Sequence, residues 1–314
     1  MVVGSNRRPY FFISCTHMQN SDYDISIVIV TFNNRAIIPR CLATLSKAVA
    51  SYSSQLCIID NHSNDGTDVY LHDPSSWNQL SFDAVERIYN PENLGYTKGI
   101  NQGLRRSLGR TILMLNPDII FHDDPFVLLF DELYRDERIG VVSPQFRFMN
   151  NRIQPSCRRF PEKKHVFFEF LGLSTIFSKS RLFNAWRMPD FDHMSSNDVA
   201  QPQGAFLLSR RDVLETVGLL DESFPMFFSD VDWCFRVIDN GWRIRFVADV
   251  FVHHIRGASV NQKPAQMIIS SHQSFVAFFN KYDRTWRDRC SSKIVHLLLL
   301  IVTPLRLLFH LNRL

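Results

Sequence analysis

The feature that most narrows the fold is a repeating order between Ile25 and Leu115: a short apolar run, a polar cluster, an amphipathic stretch, then the next short run. Ile25-Ser26-Ile27-Val28-Ile29-Val30 is β-branched, too short for a helix core, and stops at Thr31-Phe32-Asn33-Asn34. A strand buried in a parallel sheet reads this way, ending in a polar loop. Ile38, Cys41, Leu42, Leu45 and Val49 then recur at helical spacing, and Pro39 fits that helix only because it falls in the first turn. Gln55 to Ile59 predicts a second strand, closed by the acceptor-rich Asp60-Asn61-His62-Ser63-Asn64-Asp65-Gly66-Thr67. Arg87-Ile88-Tyr89 predicts a third strand, Gly99 to Leu108 a helix, and Thr111 to Leu115 a fourth strand that stops at Asn116-Pro117-Asp118. This succession implies right-handed βαβ units in a mostly parallel sheet. Ligands of such sheets bind beyond the carboxyl ends of the strands, where the polar clusters fall.

Beyond Val141-Val142 the pattern loosens. Residues 150–200 are rich in Arg, Lys, Phe and Pro without clean periodicity, which predicts an insertion or lid over the site in place of a second core. Order returns at Gln203-Gly204-Ala205-Phe206-Leu207-Leu208, at a helix begun near Asp230, and at strands Ile244 to Val247 and Val250 to Val252. From about Asn261 the chain reads as helical.

Composition excludes a disordered or collagen-like chain: 45% of the 314 residues are hydrophobic and the net charge is +4. The charge is uneven. Lys281 to Leu314 carries seven basic and two acidic residues, a net +5, so the rest of the chain is nearly neutral and no basic patch argues for nucleic acid. Six scattered cysteines, with no CxxC pair and no zinc spacing, read as reduced thiols in a cytosolic setting. Residues 1–23 contain only the short apolar run Tyr10 to Ile13 and read as a loosely ordered leader that is not exported.

Four clusters can carry chemistry. The Asp60-to-Thr67 loop offers acceptors and donors for a nucleotide base and ribose, and equally fits an Asx-rich turn capping the next helix. No GxGxxG follows the first strand and no GxxxxGK[ST] occurs, which disfavours dinucleotide dehydrogenases and P-loop enzymes. Asn116-Pro117-Asp118 places a carboxylate after an apolar strand, where it can hold a divalent cation or simply turn the chain. Ser229-Asp230-Val231-Asp232 puts two carboxylates at a helix start; dipole compensation accounts for both, and Asp230, at the junction, is also a general-base candidate. His253-His254 offers an imidazole as metal ligand or as polar surface.

Together, VTFNN, IDNHSNDGT, ENLGYTKGINQGL (Glu92 to Leu104), LNPD (Leu115 to Asp118), QGAFLLSRRDVLETVGLLDESF (Gln203 to Phe224), FFSDVDWCFR and HHIRGAS resemble the inverting family 2 glycosyltransferases, most of all the rhamnosyltransferase branch of bacterial surface polysaccharide synthesis. The resemblance covers residues 25 to about 260. It implies an α/β GT-A fold, Rossmann-like, with a mixed, mostly parallel sheet flanked by helices and a C-terminal helical extension. In domain terms, residues 24–260 form the glycosyltransferase unit and 261–314 a membrane-associating segment. It implies a nucleotide-diphosphate sugar donor, best matched by dTDP-rhamnose, with other UDP- or dTDP-sugars or a non-catalytic carbohydrate-binding subunit as alternatives. Thr31, Asn33, Asp60 and Asn61 are expected near the nucleotide; Asn93, Gly95, Asn101 and Asn116 near ribose, diphosphate and sugar. Asp118 and His254 are expected to hold Mg²⁺ or Mn²⁺, Gln203, Gly204, Ala205 and Asp232 to line the sugar and acceptor pocket, and Asp230 to be the catalytic base. Two departures stand out: Ser229 where many relatives carry Glu, and Asn116 as the first residue of the DxD-like motif. The implied acceptor is a polyprenyl-diphosphate-linked saccharide.

The C-terminal run Ile294 to Leu311 is nearly apolar, yet Pro304, Arg306 and two histidines make it a poor membrane-spanning helix. His296, Thr303, Arg306 and His310 fall within about 80° on a helical wheel. Such a helix, with Arg284, Arg287, Arg289 and Lys293 upstream, is expected to lie in the interface of the cytoplasmic face of the plasma membrane as a peripheral anchor. Packing on the domain or on a partner subunit is the competing expectation.

Overall fold

The computed structural model describes residues 22–255 and 264–311, without the side chains of 264, 305 and 308–311. The leader expectation for residues 1–21, and the Gly257 and Ser259 positions of the HHIRGAS motif, lie outside the described residues.

Four parallel strands form the first half of the sheet: β1 (Tyr23–Thr31), β2 (Ser54–Asp60), β3 (Ala84–Tyr89) and β4 (Gly109–Leu115). Their order is β3-β2-β1-β4. Helices α1 (Ile38–Ala48), α2 (Thr67–His72) and α3 (Tyr96–Leu104) occupy the connections. Helix α3 begins three residues before the sequence expectation and ends four residues earlier. Gly95, at φ 85°, turns the chain into the helix, and Gly109 must begin β4 against the backbone of Ser26. A Cβ at 109 would lie 2.4 Å from the Ser26 nitrogen, so only glycine lets the two chains meet.

The second half is mixed. It contains β5 (Ile119–Ile120), helix α4 (Phe126–Tyr134), β6 (Ile139–Arg147) and β7 (Ile153–Gln154). The 150–200 stretch continues through β8 (Cys157–Arg158), helices α5 (Lys163–Phe170) and α6 (Leu173–Ile176), and the short strands β9 (Asn197–Asp198) and β10 (Gln201–Pro202). Then come β11 (Phe206–Arg210), helix α7 (Arg211–Val217), helix α8 (Ser229–Asp239) and β12 (Arg243–His254). Strand β11 runs antiparallel between β4 and β6, while β6 and β12 are parallel. The two strands expected at 244–247 and 250–252 are one strand, β12, with an irregularity between Val247 and Phe251.

Two apolar cores cover the two faces of the sheet, alternating along β1: Ile25, Ile27 and Ile29 on one face, Val28 and Val30 on the other. A third core joins the C-terminal helices α9 (Pro264–Tyr282) and α10 (Trp286–Leu311) to α5 and α8 through Val166, Phe228, Val231, Phe275, Phe278, Val295 and Leu299. Burial of each such side chain contributes about 1.5–3 kcal/mol, so the two C-terminal helices are packed on the rest of the fold and not tethered beside it.

The docking has a polar centre. Asp232, on α8, is fully buried and accepts from Arg236 Nε at 2.9 Å, Lys281 Nζ at 2.5 Å and Tyr282 OH at 2.7 Å. Lys281 also reaches Asp221 at 2.6 Å. Burial works against the Asp221 charge, but hydrogen bonds from Lys281 and Ser223 outweigh it and hold the carboxyl at about 2.

Two members of the polar stripe of α10, Thr303 and Arg306, meet α9. Thr303 Oγ1 lies 2.5 Å from His272 Nδ1 on α9, and the Arg306 guanidinium sits 5.2 Å from the Phe170 ring centre and 3.4 Å from His272 Nε2. His296 is exposed. The opposite, apolar face is the one left in solvent: Ile294, Leu297, Leu300 and Ile301 are 57–61% exposed. Among the described residues no helix is long and apolar enough to cross a membrane.

Candidate functional site

The carboxyl ends of β1, β2 and β4 bring the sequence motifs to one edge. Thr31 and Asp60 are register partners, so the two acceptor-rich loops lie side by side. Asn33, at φ 53°, accepts the Asn64 amide at 2.8 Å, and its own amide donates to Ser63 Oγ at 2.9 Å. Asp60 accepts from the Ser63 amide at 3.1 Å and from Ser63 Oγ at 2.6 Å. The Asx-turn reading of this loop therefore holds, and the turn presents the loop at the strand ends.

Three expected contact residues prove to be structural ties. Asn61 Nδ2 donates to Asn93 Oδ1 at 2.9 Å and to the Gly95 carbonyl at 3.1 Å. Its Oδ1 accepts from Asn90 Nδ2 at 3.1 Å and the Leu94 amide at 3.0 Å, which clamps the 90–95 loop to β2. Asn93 is thus held on its oxygen side by Asn61 and the Gly95 amide. Asn101 is 1% exposed and spends both ends on the loop before α8: Nδ2 donates to the Leu220 carbonyl and Glu222 Oε1, each at 2.9 Å, and Oδ1 accepts the Leu220 amide at 3.1 Å. It cannot approach a sugar or diphosphate as expected. Ala205 likewise has its side chain in the core and contributes its carbonyl to the Asn116 amide at 2.9 Å.

Asp118 and His254 do come together. The turn after β4 delivers Asp118, and the antiparallel pairing of β5 with β12 sets His254 opposite Ile119. His254 Nε2 lies 3.5 Å from Asp118 Oδ2, and the Ile255 amide donates to the Asp118 carbonyl at 2.9 Å. Both side chains are buried, yet Asp118 Oδ1 and the neighbouring Asn116 Oδ1 have no hydrogen-bond partner. A buried, unpartnered carboxylate oxygen beside an imidazole is a donor set suited to a hard or borderline divalent cation. Among the described residues there is no group of three or more His, Cys, Asp or Glu that could hold a metal.

Asp230 lies in the first turn of α8. Phe228, just before it, holds a left-handed conformation (φ 69°) that a bulky residue adopts only when its surroundings compel it; Phe275 and Phe278 pack edge-on against the ring. Asp230 Oδ2 accepts the Gly204 amide at 3.0 Å and Gln201 Nε2 at 3.3 Å, and Oδ1 accepts its neighbour's Val231 amide at 2.9 Å. Burial pushes the carboxyl above the usual aspartate range, while these amides and the Arg158 guanidinium pull against the rise. Tyr96 is kept from ionising first by burial, then by the charges of Asp230 and Asp118, so one phenol senses both carboxylates.

The missing acidic neighbour of Asp230 is replaced by these donors. Ser229 Oγ is buried and unpartnered, and orientation comes from Gly204 and Gln201. Gln203 anchors the same strand approach through its amide to the Ser156 carbonyl at 2.8 Å. Asp232, expected in the acceptor pocket, is turned away and consumed by Arg236, Lys281 and Tyr282. Sequence reading missed Gln201, Tyr96 and Gln154; the first and third lie on two-residue strands that leave no periodic trace.

The mixed sheet flanked by helices, with its polar loops gathered at the carboxyl ends of the first strands, is the fold of GT-A glycosyltransferases. The fold is shared with the mannosyltransferase PcManGT of Pyrobaculum calidifontis, solved with GDP-Man and Mn²⁺, at TM-score 0.56 and 16% identity over 90% of this chain and 72% of that one. Residues 26–195 match the family described as Glycosyl transferase family 2, and the chain belongs to that family. It is similar to the N-acetylglucosaminyl-diphospho-decaprenol L-rhamnosyltransferase of Mycobacterium tuberculosis, 26% identical over 84% of this chain and 86% of that protein. It is also similar to the low-salt glycan biosynthesis hexosyltransferase Agl10 of Haloferax volcanii, 23% identical over 86% of this chain and 78% of that one.

Proposed function

We propose that this glycosyltransferase moves L-rhamnose from dTDP-rhamnose onto a polyprenyl-diphosphate-linked saccharide, with inversion at the anomeric carbon, in cell-surface polysaccharide synthesis. The observation that carries the reading is Asp230: a carboxylate at the start of α8, held by the Gly204 amide at 3.0 Å and with its pKa raised by burial. The similarity to a rhamnosyltransferase whose named acceptor is a decaprenyl diphosphate supports the choice of donor and acceptor.

The nucleotide lies against the loops after β1 and β2, where Asn33 borders it, and the Gly95 turn sets the floor; Thr31 is fully buried and Asp60 is spent on Ser63, so these two shape the loops behind it. Asp118 and His254 would hold Mg²⁺ or Mn²⁺, which would supply electrostatic stabilisation for the charge that develops on the leaving diphosphate. Asp230 accepts the proton of the acceptor hydroxyl as that oxygen attacks, and one in-line displacement inverts the configuration. General-base assistance of this kind contributes about 10²–10⁴-fold.

The exposed apolar face of α10 seats the enzyme on the membrane that carries its acceptor. Arg284, Arg287, Arg289 and Lys293 are all exposed beside it and match an anionic lipid surface. On this reading the enzyme is peripheral, on the cytoplasmic face.

The reaction is tested by Asp230→Asn. Transfer should fall by about 10²–10⁴-fold while dTDP-rhamnose still raises the melting temperature, since donor binding does not need the base. Full transfer by the variant would overturn the assignment. A panel of UDP- and dTDP-sugars in the same melting assay identifies the donor.

A further inference from the structure

We propose that Gln154 is a positioning residue that fixes His254 in its Nδ1–H tautomer, aiming the Nε2 lone pair at Asp118 and so setting the affinity for a divalent cation. The inference rests on the reading that Asp118 and His254 hold that cation.

Gln154 belongs to β7, in the stretch without periodicity, and is brought under His254 because β7 pairs with β6 and β6 with β12. It is 1% exposed, and its Oε1 lies 2.7 Å from His254 Nδ1. An oxygen at that distance accepts a proton from Nδ1. In the neutral ring Nε2 is then the bare nitrogen, and Nε2 is the atom 3.5 Å from Asp118 Oδ2. Two electron-rich atoms facing each other in a buried pocket repel unless a cation comes between them. The second carboxylate oxygen, Asp118 Oδ1, also lacks a partner, so the pocket has more acceptors than donors.

The ring has little freedom to escape. His254 is 3% exposed, and the Phe146 ring meets it edge-on with centroids 5.4 Å apart. Gln154 Nε2 has no partner of its own, so Oε1 is the end of the amide that is engaged. Were the amide reversed, Nε2 of the imidazole would carry the proton and donate to Asp118, and the cation would have to displace it. Outer partners of this kind typically change metal affinity by about 10–100-fold when removed.

The test uses the full chain with dTDP present and reads Mn²⁺ dissociation constants by electron paramagnetic resonance of the free ion, independently of turnover. Gln154→Leu, similar in volume but without an acceptor, should bind Mn²⁺ about 10–100-fold more weakly than the wild type. Gln154→Glu offers only acceptors to Nδ1 and should bind at least as tightly as the wild type. If Gln154→Leu fails to fold, the Gln154→Glu arm still decides, because weaker binding there overturns the tautomer assignment. Wild-type affinity in Gln154→Leu overturns it as well. Equal binding by the wild type and Asp118→Asn would sink the metal reading itself and this inference with it, an outcome distinct from the other two.

Discussion

Gly204 and Asp230 are fitted to each other: the Gly204 amide donates to Asp230 Oδ2 at 3.0 Å, and a Cβ on residue 204 would fall 2.7 Å from the Asp230 Cβ. The Asp230 side chain therefore occupies the space that a side chain on residue 204 would need, and the carboxylate is aimed by contact as well as by hydrogen bonding. Gly204→Ala should displace Asp230 by a fraction of an ångström to an ångström and lower kcat by roughly 10²-fold, because small misplacements of reacting groups are felt at that scale. Donor affinity, measured by melting shift, should stay near the wild-type value. An unchanged kcat would mean that the two residues can part without consequence.

Burial raises the Asp230 pKa, and Arg158 partly offsets the rise. A base must be deprotonated to act, so the acidic limb of kcat/KM should lie above the value of about 3.9 expected of an unperturbed aspartate. Replacing Arg158 with Gln removes a positive charge that favours the carboxylate, so that limb should move to higher pH. A limb that stays put or moves down would disconnect Arg158 from the base.

The β-branched run Ile25 to Val30 was enough to mark a strand covered on both faces, because a short apolar run without polar alternation fits a buried parallel sheet. The site was less legible. Asp230 and Asp232 stand about 200° apart on α8, and sequence cannot say which of them faces the crevice. That choice is made by Lys281 and Tyr282 on α9, which claim Asp232. The same applies to Asn101, whose polar ends look free in sequence until Leu220 and Glu222 are folded against them. On α10 the wheel put Thr303 and Arg306 on one face but not what they meet, because the polar partner His272 sits on another helix.

His272 is held at about 4 by burial first and by the Arg306 charge second. An unfolded histidine titrates near 6.5, so between about 6.5 and about 4 the unfolded chain binds the extra proton and the native state does not. Stability should therefore be complete above about pH 6.5 and decline as pH falls toward 4, with no further loss from this group below that. Thermal melts across that range should show the slope in the wild type and a shallower one in His272→Gln. Equal slopes would show that the α9–α10 contact does not govern acid sensitivity.

Helix α10 is amphipathic with its sides reversed relative to a helix on a soluble protein. Thr303, Arg306 and the buried Val295 and Leu299 lie on the packed side; Ile294, Leu297, Leu300 and Ile301 lie within about 120° of one another on the free side. Four exposed bases, Arg284, Arg287, Arg289 and Lys293, precede or border that side, each contributing about 1 kcal/mol at an anionic surface. Truncating the helix would also remove Val295 and Leu299 from the third core, so surface substitutions are the cleaner probe. The wild type should co-sediment with vesicles containing anionic lipid, less so with neutral vesicles and less at high salt, because the basic contribution is screened. Leu297→Glu combined with Ile301→Glu should abolish co-sedimentation and leave the melting temperature close to the wild type, since both side chains are exposed. Transfer to a short-chain, water-soluble acceptor should be unaffected, whereas transfer to an acceptor embedded in vesicles should fall. Co-sedimentation that survives both substitutions would move the membrane contact off this face.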